Sequence, residues 1–352
     1  MHLSNRIQLD ARYVLARSCD KEGSFEQAKE LYSELLNEYP DDLDLLLHFG
    51  DILLRKGNLL ESLRYLGHAV EKYPASASAH CLLGKIQIQL GQRDEAMFSL
   101  YRALEYQPDF DEAHSAIASL SLPYPHYTRI LKQFHQWIRP ENYVEIGVET
   151  GQSMQLAEPP TLCVGVDPEP QISCRFSANT SIISETSNDF FANHDLYNEF
   201  GIQTISLAFI DGLHLFEAAL KDFISIEQHS SRETIVLVHD CIPLDKATSS
   251  RERNTEFWSG DTWKIIPCLK HHRPDLNIIT IPSPPTGLAV ITCLDPASTV
   301  LGNSLDTIMN EYIPLDYDYL GYEKDGILNV VYDDWPSIQD KIGKVKDITY
   351  PG

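Results

Sequence analysis

Two carboxylates and two imidazoles close two short apolar runs, and that pairing is the first sign of chemistry in this sequence. One run, Phe209-Ile210, passes into Asp211-Gly212-Leu213-His214; the other, Thr234 to Val238, passes into His239-Asp240-Cys241. Asp211 and Asp240 could share a hard cation such as Mg²⁺, which takes few carboxylates and keeps several waters. His214, an imidazole with an ordinary pKa of about 6.5, is suited to accept a proton near neutral pH. A cation-bound hydroxyl loses its proton more readily, so cation and base would cooperate. Without such a role, Asp211 would cap the following helix. His239 either joins the catalysis or packs in the sheet.

A second constellation lies upstream. Glu145-Ile146-Gly147-Val148-Glu149-Thr150-Gly151-Gln152-Ser153 sets two glycines four apart, and Asp167 follows Gly147 by 20 residues. Such a loop turns tightly and lets a ligand approach its backbone. An acid at that distance, ending the next strand, can grip ribose hydroxyls. The third glycine of the dinucleotide fingerprint is missing, which argues against a nicotinamide dehydrogenase, and Glu149 is a poor neighbour for a pyrophosphate. A nucleoside without phosphates that carries a cationic amino acid suits this acidic loop; S-adenosylmethionine fits that description.

The elements that must hold these groups follow from hydrophobic period. Tyr143–Ile146, Leu162–Val166, Ser181–Ile183, Ser206–Ile210 and Thr234–Val238 read as five short strands, with Glu217 to Glu227 the clearest intervening helix. Strands alternating with helices predict a mostly parallel, Rossmann-like sheet covered on both faces, with chemistry at the carboxyl ends of the strands. Pro284 to Ile291 reads as a turn into a late edge strand. Trp258 and Trp263 either cover an acceptor or pack in the core. Beyond about residue 302 the sequence is acidic and rich in tyrosine.

The first third is different. Gly23, Gly57 and Gly91 recur every 34 residues, as do Pro40, Pro74 and Pro108 and the small residues Ala16, Gly50 and Gly84. Between them the apolar residues keep helical spacing, so each period predicts a helix pair broken at glycine, ended at proline and closely packed through the small residue. His48, His68, His80 and His114 never form the i, i+4 pair that two metal ligands on one helix face need. The predicted layout is an all-α solenoid over 9–120, a linker over 121–129, an α/β domain over 130–300 and an acidic extension over 301–352.

The 34-residue pattern resembles the tetratricopeptide (TPR) repeat. The run E-I-G-x-x-x-G-x-S, V-D-P, F-I-D-G-x-H-x-F-E and V-H-D resembles the class I S-adenosylmethionine-dependent methyltransferases, nearest the small-molecule and sugar O-methyltransferases. That resemblance implies that Glu145, Gly147 and Gly151 hold the methionine portion, Asp167 the ribose, and Thr186 and Ser187 border the adenine. It also implies metal carboxylates at Asp211 and Asp240 with a basic residue at His214. Cation-dependent relatives often follow the second carboxylate with Asn or Asp, whereas Cys241 stands here, so catalysis by His214 without metal stays open.

Composition limits the alternatives. Among 352 residues, 28 are basic and 51 acidic, for a formal charge of −23, which disfavours nucleic acid and anionic membrane as partners. No apolar run reaches the length of a membrane span, and the N-terminal residues do not read as a secretory signal. Seven scattered cysteines without C-x-x-C spacing predict a reducing, cytoplasmic setting. The expectation is a methyltransferase acting on a small-molecule or glycan acceptor, with a protein partner or a second copy in the repeat groove. Two alternatives stand beside it. One is a scaffold that binds the cofactor without catalysis. The other is an iron oxygenase using His214, His239 and Asp240, though His239 and Asp240 adjoin on a strand and should face opposite ways.

Overall fold

The computed structural model describes residues 11–343. Residues 9 and 10 of the predicted solenoid and 344–352 of the predicted extension lie outside them. The chain divides between Leu120 and Ser121, with Thr255–Phe257 grouped with the first unit.

The first unit is three helix pairs and a closing helix. They are α1 (Ala11–Lys21) with α2 (Phe25–Glu38), α3 (Leu43–Arg55) with α4 (Leu59–Lys72), α5 (Ala77–Gln89) with α6 (Arg93–Tyr106), and α7 (Asp111–Ser121). The repeat explains each boundary. Gly57 sits at φ +76° just beyond α3, the left-handed position that glycine adopts without penalty, and the next amide, that of Asn58, returns to the Leu53 carbonyl at 2.8 Å. After each proline the next pair starts on a polar cap: Asp42 accepts from the Leu45 amide at 3.1 Å, and Ser76 from Ala79 at 3.2 Å. The small residues do what their spacing predicts. A Cβ at Gly50 would lie 2.5 Å from Leu66 Cγ, and one at Gly84 2.7 Å from Leu100 Cγ, so these helix pairs close to a distance no larger residue permits. Among the described residues, none of the four repeat histidines joins a cluster of metal donors. His48 bonds the Asp44 carbonyl, His68 the Asp41 carboxylate and His80 the Pro74 carbonyl.

The second unit opens with α8 (Tyr127–Ile138) and builds one seven-stranded sheet. In chain order follow β1 (Asn142–Ile146), β2 (Leu162–Val166), β3 (Asn179–Ile183), α9 (Ser187–Asn193), α10 (Leu196–Phe200), β4 (Leu207–Ile210), α11 (Phe216–Gln228), β5 (Ile235–His239), α12 (Ile265–His272), β6 (Asn277–Ile281) and β7 (Leu288–Thr292). The spatial order is β3-β2-β1-β4-β5-β7-β6, with every pairing parallel except those of β7. Strand order therefore reverses between β1 and β4. Alternate residues feed two cores. Val144, Val164, Ala208 and Val236 pack with α11 and α12, while Tyr143, Cys163, Phe209 and Leu237 pack with α8.

One feature departs from expectation. The late strand is interior rather than an edge, since β7 lies between β5 and β6 and all five of its residues are buried. Its unbroken apolar run, Leu288-Ala289-Val290-Ile291, suits a strand covered on both faces. The C-terminal segment, with α13 (Val300–Asn303), α14 (Leu305–Tyr312), α15 (Lys324–Ile327) and α16 (Trp335–Gly343), belongs to the same compact unit as the sheet. Leu301, Ile308, Tyr312 and Leu320 enter one core, and Ile338 and Ile342 the other. Val330 also bridges to Thr280, so the outer edge of β6 is shielded from edge-to-edge pairing. Among the described residues, no helix is long and apolar enough to cross a membrane.

Candidate active site

The reversal point between β1 and β4 is where an open α/β sheet forms a crevice for ligands. The Asp211 amide donates to the Ile146 carbonyl at 2.8 Å, so the end of β4 stays beside the loop after β1. A Cβ at Gly147 would lie 2.0 Å from the Asp211 carbonyl oxygen; only glycine, at φ +86°, allows this approach.

Four ionisable side chains converge at the ends of β4 and β5. His214 Nδ1 lies 3.1 Å from Asp240 Oδ2 and 3.2 Å from the Trp258 carbonyl, and its Nε2 lies 3.5 Å from Asp211 Oδ1. Nδ1 has two acceptors at 3.1 and 3.2 Å and Nε2 only the more distant Asp211 carboxylate, so the nearer partners place the proton of the neutral ring on Nδ1. His239 Nδ1 stands 3.2 Å from Asp211 Oδ1 and 3.6 Å from Asp240 Oδ1. Burial opposes charge on His239, but Asp211 and then Asp240 outweigh it and raise its pKa to about 10. Asp240 is likewise buried, yet His214 and His239 hold its carboxyl below the ordinary value, and Thr286 donates to it at 2.6 Å. His239 is thus an imidazolium between two carboxylates.

Two of these residues sit in backbone conformations that non-glycine residues seldom adopt. His214 has φ +55° and Asp240 φ +60°. The turn at His214 is clasped by Gly260 and Asp261: the Asp261 amide donates to the His214 carbonyl at 3.1 Å, and a Cβ at Gly260 would lie 1.9 Å from that oxygen. The indole of Trp258 stacks on the imidazole of His214, with centroids 5.4 Å apart and planes 17° from parallel. Around the cluster is a cavity of about 10 Å³, lined by Asp211, His214, His239, Asp240, Asp222 and Thr262 among others. That is room for a water-sized particle.

The loop residues are arranged differently. Asp167 Oδ2 accepts from the Val148 and Glu149 amides at 2.9 and 2.8 Å, and Oδ1 accepts from Glu169 at 2.8 Å, so this aspartate pins the glycine loop. Gly151, at φ +84°, ends the turn against Cys174 and Phe176. Glu145, expected at the methionine portion, lies instead beneath the loop. It is fully buried, and its two oxygens accept from Tyr143 and Ser153. Its place on β1 explains this, because Glu145 shares a face with Tyr143 and alternation turns both inward. Thr186 caps α9, accepting from the Asp189 amide and donating to its carboxylate, and Ser187 opens that helix. Gly147, Gly151, Asp167, Thr186 and Ser187 do not line the cavity at the cluster.

Burial pushes the Glu145 carboxyl up to about 8, against the hydrogen bonds from Ser153 and Tyr143. An unfolded glutamate ionises above about 4.3, so stability from this group is complete below that pH and is lost as pH rises towards 8. Glu145→Gln, which cannot ionise, is expected to gain on the wild type by as much as roughly 4 kcal/mol across that interval. Urea unfolding at about pH 5 and about pH 8.5 checks this; an equal difference at both values would mean that Glu145 is ionised in the native protein.

Other sequence expectations change in the fold. His239 and Asp240 do not face apart, because β5 ends at His239 and Asp240 leaves the strand conformation, which cancels the alternation argument. Donor atoms of Asp211, His239 and Asp240 all lie within 4.8 Å of one another. Cys241 is fully buried with its thiol towards the Val238 and His239 carbonyls, so it offers nothing to a cation at the cluster. The two tryptophans divide: Trp263 is in the core, and Trp258 is at the cluster. Two members went unrecognised. Thr286 lay in a turn that read as structural, and Tyr127, whose ring lies tilted at 40° to His239 with centroids 4.1 Å apart, lay in the predicted linker.

Comparison with known proteins accords with this architecture. Residues 144–241 match a family model described as a methyltransferase domain, and residues 13–65 and 53–120 match two described as tetratricopeptide repeats. Human tetratricopeptide repeat protein 7A is 30% identical over 95 residues, which are 27% of this chain and 11% of that protein. Among solved structures, MamA from Desulfovibrio magneticus RS-1 is 20% identical with a TM-score of 0.30, covering 32% of this chain and 63% of that one. A thermophilic TPR protein of Thermus thermophilus is 30% identical, also at TM-score 0.30, covering 38% and 74%. The chain thus spans about a tenth of the curated relative and less than two thirds of the MamA structure. It carries TPR repeats followed by a methyltransferase-type α/β domain.

Proposed function

We propose that this protein transfers a methyl group from S-adenosylmethionine to a hydroxyl of a small molecule or sugar, its TPR repeats serving a protein partner or a second copy. One observation carries the reading: His214, its Nε2 turned to Asp211 and its Nδ1 to Asp240, stands directly beside the glycine loop after β1, within the segment that matches the methyltransferase model. The left-handed backbone at Gly147 and the acidic flank of Glu149 and Asp167 fit a cationic nucleoside. When bound, S-adenosylmethionine supplies an electrophilic methyl group.

The chain's own residues do the rest. Gly147 and Gly151 admit the methionine portion, and Glu145 supports that loop from below through Ser153. Asp167 keeps one lone pair, on Oδ1, for a ribose hydroxyl while still pinning the loop. Thr186 and Ser187, at the start of α9, border the adenine. His214 takes the acceptor's proton at Nε2, and Asp240 steadies the charge that appears on the ring. Much of the rate then comes from holding two reactants in line. Asp211 and Asp240 would hold a cation, but its arrival must displace the His239 proton. The resulting set of two carboxylates and an imidazole suits a borderline metal better than Mg²⁺. Seven unpaired cysteines support a reducing compartment such as the cytoplasm.

Calorimetry with S-adenosylmethionine, joined to a labelled-methyl assay over sugar and catechol acceptors, tests the reading. Asp167→Ala is expected to weaken cofactor binding at least ~10-fold, by loss of charged hydrogen bonds. Unchanged affinity would remove Asp167 from the site. The small cavity at the cluster and the buried Cys241 favour a second reading, a scaffold that binds the cofactor without transferring its methyl group. Intact binding with no labelled product from any acceptor would support it. Iron in the purified protein would instead support the oxygenase reading.

A further inference from the structure

We propose a second cation site, built for Zn²⁺, where the end of α12 meets α14, sharing no residue with the strand-end cluster. His271 and His272 close α12, and Glu311 is the penultimate residue of α14. One donor atom from each lies within 4.8 Å of the other two. The sharper sign is His272 Nε2, which is buried and makes no hydrogen bond. Glu311 Oε2 faces it at 3.8 Å, beyond hydrogen-bond reach. Two donors around one tetrahedral ion at ~2.0–2.2 Å stand roughly 3.4 Å apart, so a small closure of Glu311 brings it to that spacing from His272. An unpartnered buried nitrogen is otherwise a cost to the fold.

The surroundings also suit a cation. The two imidazole rings stand at 85° with centroids 4.7 Å apart, so they address a common point from different directions. Tyr312 meets the ring of His272 at 65°, limiting its rotation. His271 and Glu311 are exposed, which leaves coordination positions for water and makes the ion exchangeable. The neighbouring Lys270 ammonium is turned away, donating to the Gly326 and Ile327 carbonyls. Two imidazoles and a carboxylate select Zn²⁺ over Mg²⁺ or Ca²⁺, which prefer all-oxygen sites. A helix C-terminus and a net charge of −23 both attract the ion. Because α14 belongs to the C-terminal segment, the bound ion ties that segment to α12.

The test uses the full chain, Zn²⁺ titrated by calorimetry, and thermal melting with and without the metal. His271→Ala and Glu311→Gln change exposed side chains. Each is expected to remove one equivalent of bound Zn²⁺, or weaken it at least ~10-fold, and to abolish the rise in melting temperature. Asp211→Asn with Asp240→Asn, which disables the other cluster, is expected to leave both intact. Should that double variant not fold, the wild type loaded with Co²⁺ and compared with His271→Ala reads the same site through its visible absorption. Zn²⁺ stoichiometry, affinity and melting shift unchanged by both His271→Ala and Glu311→Gln would overturn the proposal, as would a Co²⁺ spectrum indifferent to His271.

Discussion

Replacing His214 by alanine is expected to lower methyl transfer by about 10²–10⁴-fold, the range a positioned general base supplies. Affinity for S-adenosylmethionine should stay within about 2-fold of wild type, since His214 belongs to the β4–β5 cluster and the residues proposed for the cofactor lie at the ends of β1, β2 and β3. The effect should appear in turnover rather than in the acceptor's apparent affinity. His214→Gln offers no proton acceptor with comparable basicity and should fare no better. Wild-type turnover in either variant would sink the assignment of the base. A large loss of cofactor affinity would mean instead that His214 holds the loop.

Asp261→Ala carries the largest expected cost in stability, about 3–5 kcal/mol, because it strands a buried charge. Asp261 is 1% exposed, and its Oδ2 accepts from Lys264, itself almost wholly buried, at 2.7 Å and from Arg251 at 2.6 Å. Its Oδ1 accepts from the Phe216 amide at 2.8 Å, satisfying the first turn of α11. Asp261→Asn preserves an acceptor for Phe216 but not the charge, so it separates the two contributions. Lys264→Met added to Asp261→Asn should recover part of the loss, since the pair is costly mainly when broken. Chemical unfolding of the four proteins measures this; a loss under about 1 kcal/mol for Asp261→Ala would show that the Ile313 carbonyl, which Lys264 also meets at 2.9 Å, suffices as its partner.

Where the local pattern alone decides structure, the sequence was readable. The 34-residue period placed every helix pair of the solenoid, and the approach of Gly50 to Leu66 is the packing that a recurrent small residue implies. Four of the five parallel strands could be read because each is a short, largely apolar run with a chemically distinctive end, while β3, half polar and partly exposed, shows only Ile182 and Ile183. Asn277–Ile281 has neither a distinctive end nor an amphipathic partner, and its pairing with β7 is a long-range choice. The meeting of Asp211, His214, His239 and Asp240 follows from adjacent parallel strands. Their exact relation does not, because it depends on positive φ at His214 and Asp240, which is stabilised by residues such as Gly260 and Thr286 that lie far along the chain. Tyr127 had no signal at all, since an aromatic residue at a helix start usually packs.

The reversed seventh strand has one more consequence. Because β7 runs opposite to β5, the short connection from Ile281 to Leu288 emerges on the same rim as the ends of β1, β4 and β5, and there it delivers Thr286 to Asp240. A parallel strand in that position would have needed a crossover of about a dozen residues and would have opened towards the far rim. The connection is tethered by the Tyr124 and Tyr127 amides to the Pro282 and Pro284 carbonyls, and it makes no part of the glycine loop. It is therefore a natural place for laboratory evolution to rebuild the surroundings of Asp240 while leaving the glycine loop alone.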